Sequence, residues 1–316
     1  MLVTVWLVVT AGAGAGVTYG LLSDSETVSG TIQIDVGSAT PPNGGAYNDS
    51  NGNGRYDDGE MTYSEEELVN FNDSSANLVI PESVNQIKPK NGQVSIRAST
   101  ITYGGKIRSK TSTVLLTAVN GDISMNEAKI RSNQKISLSA PNGDISMVDS
   151  YIRPESGHVT LSADGPIDLT DSEVRSKTGN VNITTSSRLV ADDTFFKAKA
   201  GSVVLQGQTI SAQRADIQKQ TNYIRLSATQ NGGGALDVTD ADLRAETNNV
   251  VLESNGDIHA NRSIIRSKTG EITANLGTTD AALYIDEATI DDGDDTIAYR
   301  PNGVRVVPSD GPATGS

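Results

Sequence analysis

The sequence predicts an all-β fold: a right-handed parallel β-helix with three strands per coil, about 22 residues per coil and about nine coils. Three observations predict it. Three consecutive segments repeat without a gap: QKISLSAPNGDISMVDSYIRPE (134–155), SGHVTLSADGPIDLTDSEVRSK (156–177) and TGNVNITTSSRLVADDTFFKAK (178–199). A fixed period in this range marks a stacked-repeat architecture. Each unit then holds three short runs that alternate apolar and polar residues, as strands with one buried face do. Finally, NG, DG and TG pairs cut the runs too often to leave room for helices.

The first run reads Ile136, Leu138, Ala140, then Val159, Leu161, Ala163, then Val181, Ile183, Thr185. The second gives Ile123 and Met125, Ile145 and Met147, Ile167 and Leu169, Ile258 and Ala260. The third is small, variable, apolar, basic, as in Ala128-Lys129-Ile130-Arg131, Ser150-Tyr151-Ile152-Arg153, Ser172-Glu173-Val174-Arg175 and Ser263-Ile264-Ile265-Arg266. Further units begin near 91, 111, 200, 221, 247 and 269, with additions at turns such as QNGGGA (230–235). Equivalent residues of successive coils stack about 4.8 Å apart, so nine coils make a rod roughly 40 Å long. One coil cannot bury its inner face alone, whereas a stack makes a continuous core. An antiparallel sandwich does not explain why the same face and the same basic residue return with each unit.

That basic residue forms a column: Arg108, Arg131, Arg153, Arg175, Lys197, Gln218, Arg244 and Arg266. Like charges at coil spacing repel. Compensation is expected from acids four residues earlier, Glu127, Asp149, Asp171, Asp193 and Asp240, with Arg214 and Arg262 as exceptions. The two columns read as an alternating charged surface that sets register and solubility. The sharper reading is a polyanion or glycan contact along the basic row.

Composition narrows the function. A net charge of -14 and a pI near 4.6 argue against a nucleic-acid binder, which needs a clustered positive face. The absence of cysteine excludes disulfides and thiolate metal sites. Three Phe and one Trp are few for an enzyme core, and 31 Gly imply many turns. Parallel β-helices include polysaccharide lyases and hydrolases, but those usually carry long loops. Here only 221–246 and 269–293 hold small insertions. Asp149, Asp171 and Asp193 stack in a row capable of acid–base work, yet the repeat alone accounts for them. His158 and His259 fall in different strands several coils apart, and no nucleophile or cofactor motif occurs. No catalytic residue is assigned. Tyr103, Tyr151, Phe195 and Phe196 are the only hints of a sugar-binding groove.

The strongest short motif is DSNGNGRYDDGE (49–60). An EF-hand-type loop takes oxygen ligands from positions 1, 3, 5, 7, 9 and 12, with Gly at 6. Those positions hold Asp49, Asn51, Asn53, Arg55 through its carbonyl, Asp57 and Glu60, with Gly54 sixth. Ca2+ is therefore the expected cofactor. The preceding SATPPNGGAYN cannot be a helix. After the loop, Ser64 and Glu67 have capping-box spacing for a short one. The arrangement is similar to the isolated calcium loops of dockerin or thrombospondin type 3 repeats. DDGDD (291–295) is a poorer candidate for a second cation site. Sequons at Asn48, Asn72, Asn182 and Asn261 permit glycosylation on an exported chain.

Residues 1–22, MLVTVWLVVTAGAGAGVTYGLL, carry no charge and are long enough to span a bilayer. Their Gly/Ala-rich second half suits a cleavable export signal, although a basic n-region is missing. Residues 12–36 resemble the SipW-type signal region of TasA/camelysin-like exported biofilm-fibre proteins. The shared elements are a Gly-rich segment, Thr18-Tyr19 and Ser23-Asp24-Ser25-Glu26, with Leu22 where that family usually has Phe. The resemblance covers about a tenth of the chain. It implies export to the cell surface and does not imply the TasA fold. The coil array resembles filamentous-haemagglutinin-type adhesins in architecture, which does not settle function.

The expected organisation is a signal peptide or anchor (1–22), a linker (23–44), a calcium-loop cap with a short helix (45–80), the β-helix (81–300) and a polar tail (301–316). NLVIPESV (77–84) should start the core. The expected role is an exported structural or adhesive protein of the cell surface or extracellular matrix. Its expected partners are copies of itself or surface and matrix components, including glycans. Nucleic acid is not expected, and a membrane is met only through the N-terminal segment. One rival is a filament subunit polymerising through open β-helix ends or strand exchange. The other is a polysaccharide-binding or polysaccharide-cleaving β-helix.

Overall fold

A computed structural model describes residues 41, 45–219, 222–229, 234–292, 297–300, 305–307 and 313–315. All of them belong to the second of two units, 38–316. The expected signal (1–22), the resemblance at 12–36 and the linker apart from Pro41 lie outside the described residues.

The chain enters through β1 (Ala46–Asn48), β2 (Thr62–Tyr63), the one-turn helix α1 (Glu65–Leu68), β3 (Asn70–Asn72), β4 (Asn77–Ile80) and β5 (Gln86–Ile87). From β3 onward it is a parallel β-solenoid. Three sheets of thirteen, twelve and ten strands run along it among the described residues. Each coil gives one strand to each sheet, and each strand pairs with its counterparts one coil away. The register equals the sequence repeat: Ile136 lies beside Val159 and Val159 beside Val181. Ile145 lies beside Ile167, and Ile130 beside Ile152.

Period-two alternation decides which side chains enter. Strands such as Val159–Ala163 and Val181–Thr185 alternate buried and half-buried or exposed positions along their length. Their inward residues stack into Ile/Leu/Val ladders that form one cluster from Ala46 to Ile297. Stacking also fixes the glycines of the turn that precedes the first run of these coils. A Cβ on Gly179 would collide with the Gly157 carbonyl one coil below, and one on Gly201 would collide with that of Gly179. At these two positions glycine, with no Cβ, lets the backbone of one turn sit on the next.

The ten-stranded sheet gives ten coils, one more than the expected nine. The additional coil is the first: β3, β4 and β5 already pair in parallel with the strands at 94–98, 100–103 and 106–109. The solenoid therefore begins inside the segment expected to be the cap. Pro81 and a two-residue β5 hide its periodicity. At the other end, Arg305–Val307 pairs with Ala282–Tyr284, and Ala313–Gly315 pairs with Ile297–Arg300. Strands thus continue into the expected polar tail, in runs too short to register as alternation.

The thirteen-stranded sheet is covered at its N-terminal end. β1 lies antiparallel against β4 and against β2, so β4 is not an open edge. Unpaired edges invite association, and solenoids commonly cap them. The capping box of α1 forms as its spacing predicts. Ser64 N donates to Glu67 Oε2 at 2.7 Å, and Glu67 N donates back to Ser64 Oγ at 3.4 Å. Buried Leu68 fastens this turn to the first coil.

Candidate calcium loop and charged columns

The loop 49–60 leaves β1 at Asp49, which is 4% exposed. Asp49 Oδ1 accepts from Gly52 N at 2.8 Å and Asn53 N at 3.1 Å, and Oδ2 accepts from Gly54 N at 2.7 Å. Two Asx turns follow, with Asn51 Oδ1 accepting from Asn53 N and Asn53 Oδ1 from Arg55 N. The side-chain amides of Asn51 and Asn53 both donate to Asp57 Oδ2, at 2.6 and 2.7 Å. Glu60 reaches back across the loop. Its Oε1 accepts from Ser50 N at 2.8 Å and its Oε2 from Asp57 N at 3.1 Å. Gly54 has φ +73°, as a sharp turn at the sixth position requires.

The loop is tied to the solenoid. Asp49 N donates to Asn77 O at 2.9 Å, and Asn77 Nδ2 donates to Asp49 O at 3.2 Å. The Tyr47 hydroxyl donates to Gly54 O at 3.1 Å, and its ring meets Tyr56 edge-on at 5.6 Å. Burial raises the Tyr47 phenol pKa, and the charges of Asp49, Glu60 and Asp57 raise it further. Three carboxylates thus act on one point. None of the ion pairs among the described residues engages Asp49, Asp57 or Glu60. Among the described residues, no cluster of three or more His, Cys, Asp or Glu forms a metal centre by itself. The loop's oxygens are a mixed set, completed by Asn51, Asn53 and the Arg55 carbonyl. Carboxylate, amide and carbonyl oxygens are the donors calcium prefers, so the residues fit that ion. Of DDGDD, Asp294 and Asp295 lie outside the described residues.

The acidic column has a different origin from the expected one. Glu127, Asp149, Asp171, Asp193, Arg214, Asp240, Arg262 and Glu287 all occupy positive φ, between 53° and 60°. They are the left-handed residue of one turn in successive coils. Asp tolerates that conformation better than β-branched or bulky residues. The exceptions Arg214 and Arg262 pair along the column. Arg214 binds Asp193 through Nε at 2.8 Å and Nη2 at 2.6 Å, and Arg262 binds Asp240 at the same distances. The bond to Arg214 is the main cause of the lowered Asp193 pKa.

These acids therefore do not neutralise the basic row four residues on, a correction to the expected compensation. The row finds partners within its own sheet. Arg153 meets Glu155 at 3.4 Å, Arg175 meets Glu173 at 2.5 Å, Arg244 pairs with Asp242, and Arg266 meets Asp291 at 3.6 Å. Lys197 donates to Gln218 at 3.3 Å. Arg108 and Arg131 have no such ion pair among the described residues.

Side-chain alternation also corrects the aromatic hints. Tyr103 and Phe196 are core residues, the hydroxyl of the former lying between two acceptors, Val84 O and Lys106 O. Tyr151 and Phe195 face outward, beneath Arg131 and Arg175 respectively. His158 Nδ1 accepts from Asn180 N, and His259 stacks on Tyr284 at 4.5 Å. Among the sequons, the amide oxygens of Asn48 and Asn261 accept backbone N–H bonds from Asn77 and Asp286. Asn72 is exposed on β3, and Asn182 faces outward at a half-buried position.

The sequence reading missed Lys219, which is 2% exposed at an inward position where other coils place Ser109, Ser132, Ser176 or Ser267. It donates to Thr247 O at 3.0 Å, and burial pushes its pKa down to about 8. A break in the small-residue column was the available signal. Comparison of the chain with protein-family models, curated proteins and solved structures finds no match.

Proposed function

We propose that the chain is an exported structural or adhesive protein of the cell surface or extracellular matrix. It acts as a stiff β-solenoid whose first coil is fastened by calcium at residues 49–60. The observation that carries this reading is the unbroken stack of ten coils, each joined to its neighbours in three sheets. Ten coils at about 4.8 Å span roughly 50 Å. The core is a continuous ladder, which suits mechanical persistence. Export rests on the uncharged segment 1–22 and the resemblance at 12–36.

Calcium rests on the loop's donor set. Asp49, Asn51, Asn53, Asp57, Glu60 and the Arg55 carbonyl would hold the ion, which supplies charge neutralisation and cross-linking. Because Asp49 and Asn77 are hydrogen-bonded twice, an ordered loop also orders the start of β4. Surface labelling of intact cells with an antibody, viewed by electron microscopy with and without a chelator, tests the reading. Label on the outer surface, loosened by the chelator, supports it. Label confined to the cell interior contradicts it. Long polymers that vanish with the chelator would favour the filament subunit instead.

A further inference from the structure

The basic column is not uniform. From residue 83 to 121 the chain carries Lys88, Lys90, Arg97, Lys106, Arg108 and Lys110 and no acid, although it holds 39 acids and 25 bases in all. Lys88 and Lys90 follow β5, and Lys106 and Arg108 lie in the next strand of the ten-stranded sheet. The following coil adds Lys129 and Arg131, in register with Lys106 and Arg108. All six of these are exposed. Lys106, Arg108, Lys129 and Arg131 border a shallow groove of about 220 Å³ with Gln86 and Ile107.

From the third rung on, the four arginines of the column are each paired with an acid that stands two residues before or after or one coil away, while Lys197 donates to Gln218. Glu173 and Asp242 occupy the position two residues before Arg175 and Arg244. In the first two rungs that position holds Lys106 and Lys129. None of the ion pairs among the described residues engages Lys88, Lys90, Lys106, Arg108, Lys129 or Arg131. Their contacts are weak: Lys106 Nζ to Asn85 Oδ1 at 3.4 Å, and Arg131 over the Tyr151 ring at 5.1 Å. The bond to Lys177 chiefly holds the Glu155 carboxyl low, and the charge of Arg131 adds a little. Like charges held at coil spacing cost free energy, and an acid in place of Lys129 would relieve it.

We propose that Lys106, Arg108, Lys129 and Arg131 bind a linear carboxylated polysaccharide lying along the solenoid axis. Cations repeat along that axis every 4.8 Å or so, which suits an extended polymer with a carboxylate on successive sugars. Single-stranded nucleic acid binds by stacking bases on free aromatic faces. The one aromatic at this patch, Tyr151, is covered by Arg131. A membrane would need apolar anchors, and the exposed large hydrophobics among the described residues, Met61 and Tyr223, lie outside this sheet. The inference rests on the proposed surface location only for where such a polymer is met.

Calorimetric titration of the full chain with short oligogalacturonates at low ionic strength tests it. Binding should weaken with added salt. It should fall by about tenfold or more, roughly 1.4 kcal/mol, when Lys106→Gln, Arg108→Gln, Lys129→Gln and Arg131→Gln are combined. The control pair Arg244→Gln and Arg266→Gln should bind as the parent does. If the fourfold variant fails to fold, Lys129→Glu alone, which recreates the Glu173–Arg175 pairing, should also weaken binding. Absence of binding, equal loss in the control pair, or tighter binding to single-stranded nucleic acid or anionic vesicles would overturn the proposal. The titration needs no calcium, so its failure leaves the calcium-fastened rod standing, and the converse holds.

Discussion

At the scale of single residues, backbone torsion explains what charge does not. Asp149, Asp171 and Asp193 recur because one turn per coil needs a residue at φ near 56°. A sequence pattern displays residue type and hides φ, so the column reads as electrostatics until the torsions are known. Asp171→Val should cost about 1–2 kcal/mol, since a β-branched residue resists that conformation. Asp171→Gly should cost much less, and denaturant unfolding measures both. Lys219 makes a pH prediction. Its folded pKa of about 8 lies below the ordinary 10.5, so the unfolded chain holds the proton more tightly between those values. Burial therefore penalises the charged form below pH 8, and the penalty is relieved as pH rises toward 10.5. Any stability advantage of Lys219→Met over the parent should shrink across that window; a constant difference in thermal unfolding would contradict the assignment.

At the scale of elements, the coil was legible and its ends were not. Alternation at Ile136-Leu138-Ala140 and its return at Val159-Leu161-Ala163 identify strands and register together, because stacking makes identical demands on every coil. Within the first coil, β4 lies in NLVIPESV, where the alternation of Leu78 and Ile80 marks the start of the core, whereas β3 and β5 are too short and too irregular to show that return. Inward ladder residues carry the element's stability. Ile152 is fully buried between Ile130 and Val174, and Ile152→Ala should cost about 2–5 kcal/mol through lost burial and the cavity it leaves. Gly179→Ala should cost about 1–3 kcal/mol, because the added methyl meets the Gly157 carbonyl. The loop 49–60 was legible as a closed turn for another reason. The spacing of its oxygen-bearing side chains is local, so position alone singles out Asp49, Asn51, Asn53, Asp57 and Glu60, and the structure joins them by hydrogen bonds.

At the scale of the solenoid, repetition makes stability a sum of neighbouring contacts, and terminal coils with one neighbour fray first. That puts weight on the N-terminal closure, where β1 covers β4 and the loop binds Asn77. The central claim is that calcium fastens this end. Thermal unfolding of the full chain with calcium and with a chelator tests it most directly, with Glu60→Gln alongside. A ligand that binds only the folded state stabilises by about 2.7 kcal/mol at a hundredfold excess over its Kd. The parent midpoint should therefore climb with the logarithm of calcium concentration, while that of Glu60→Gln should respond weakly. Identical midpoints for the parent in calcium and chelator would contradict the claim.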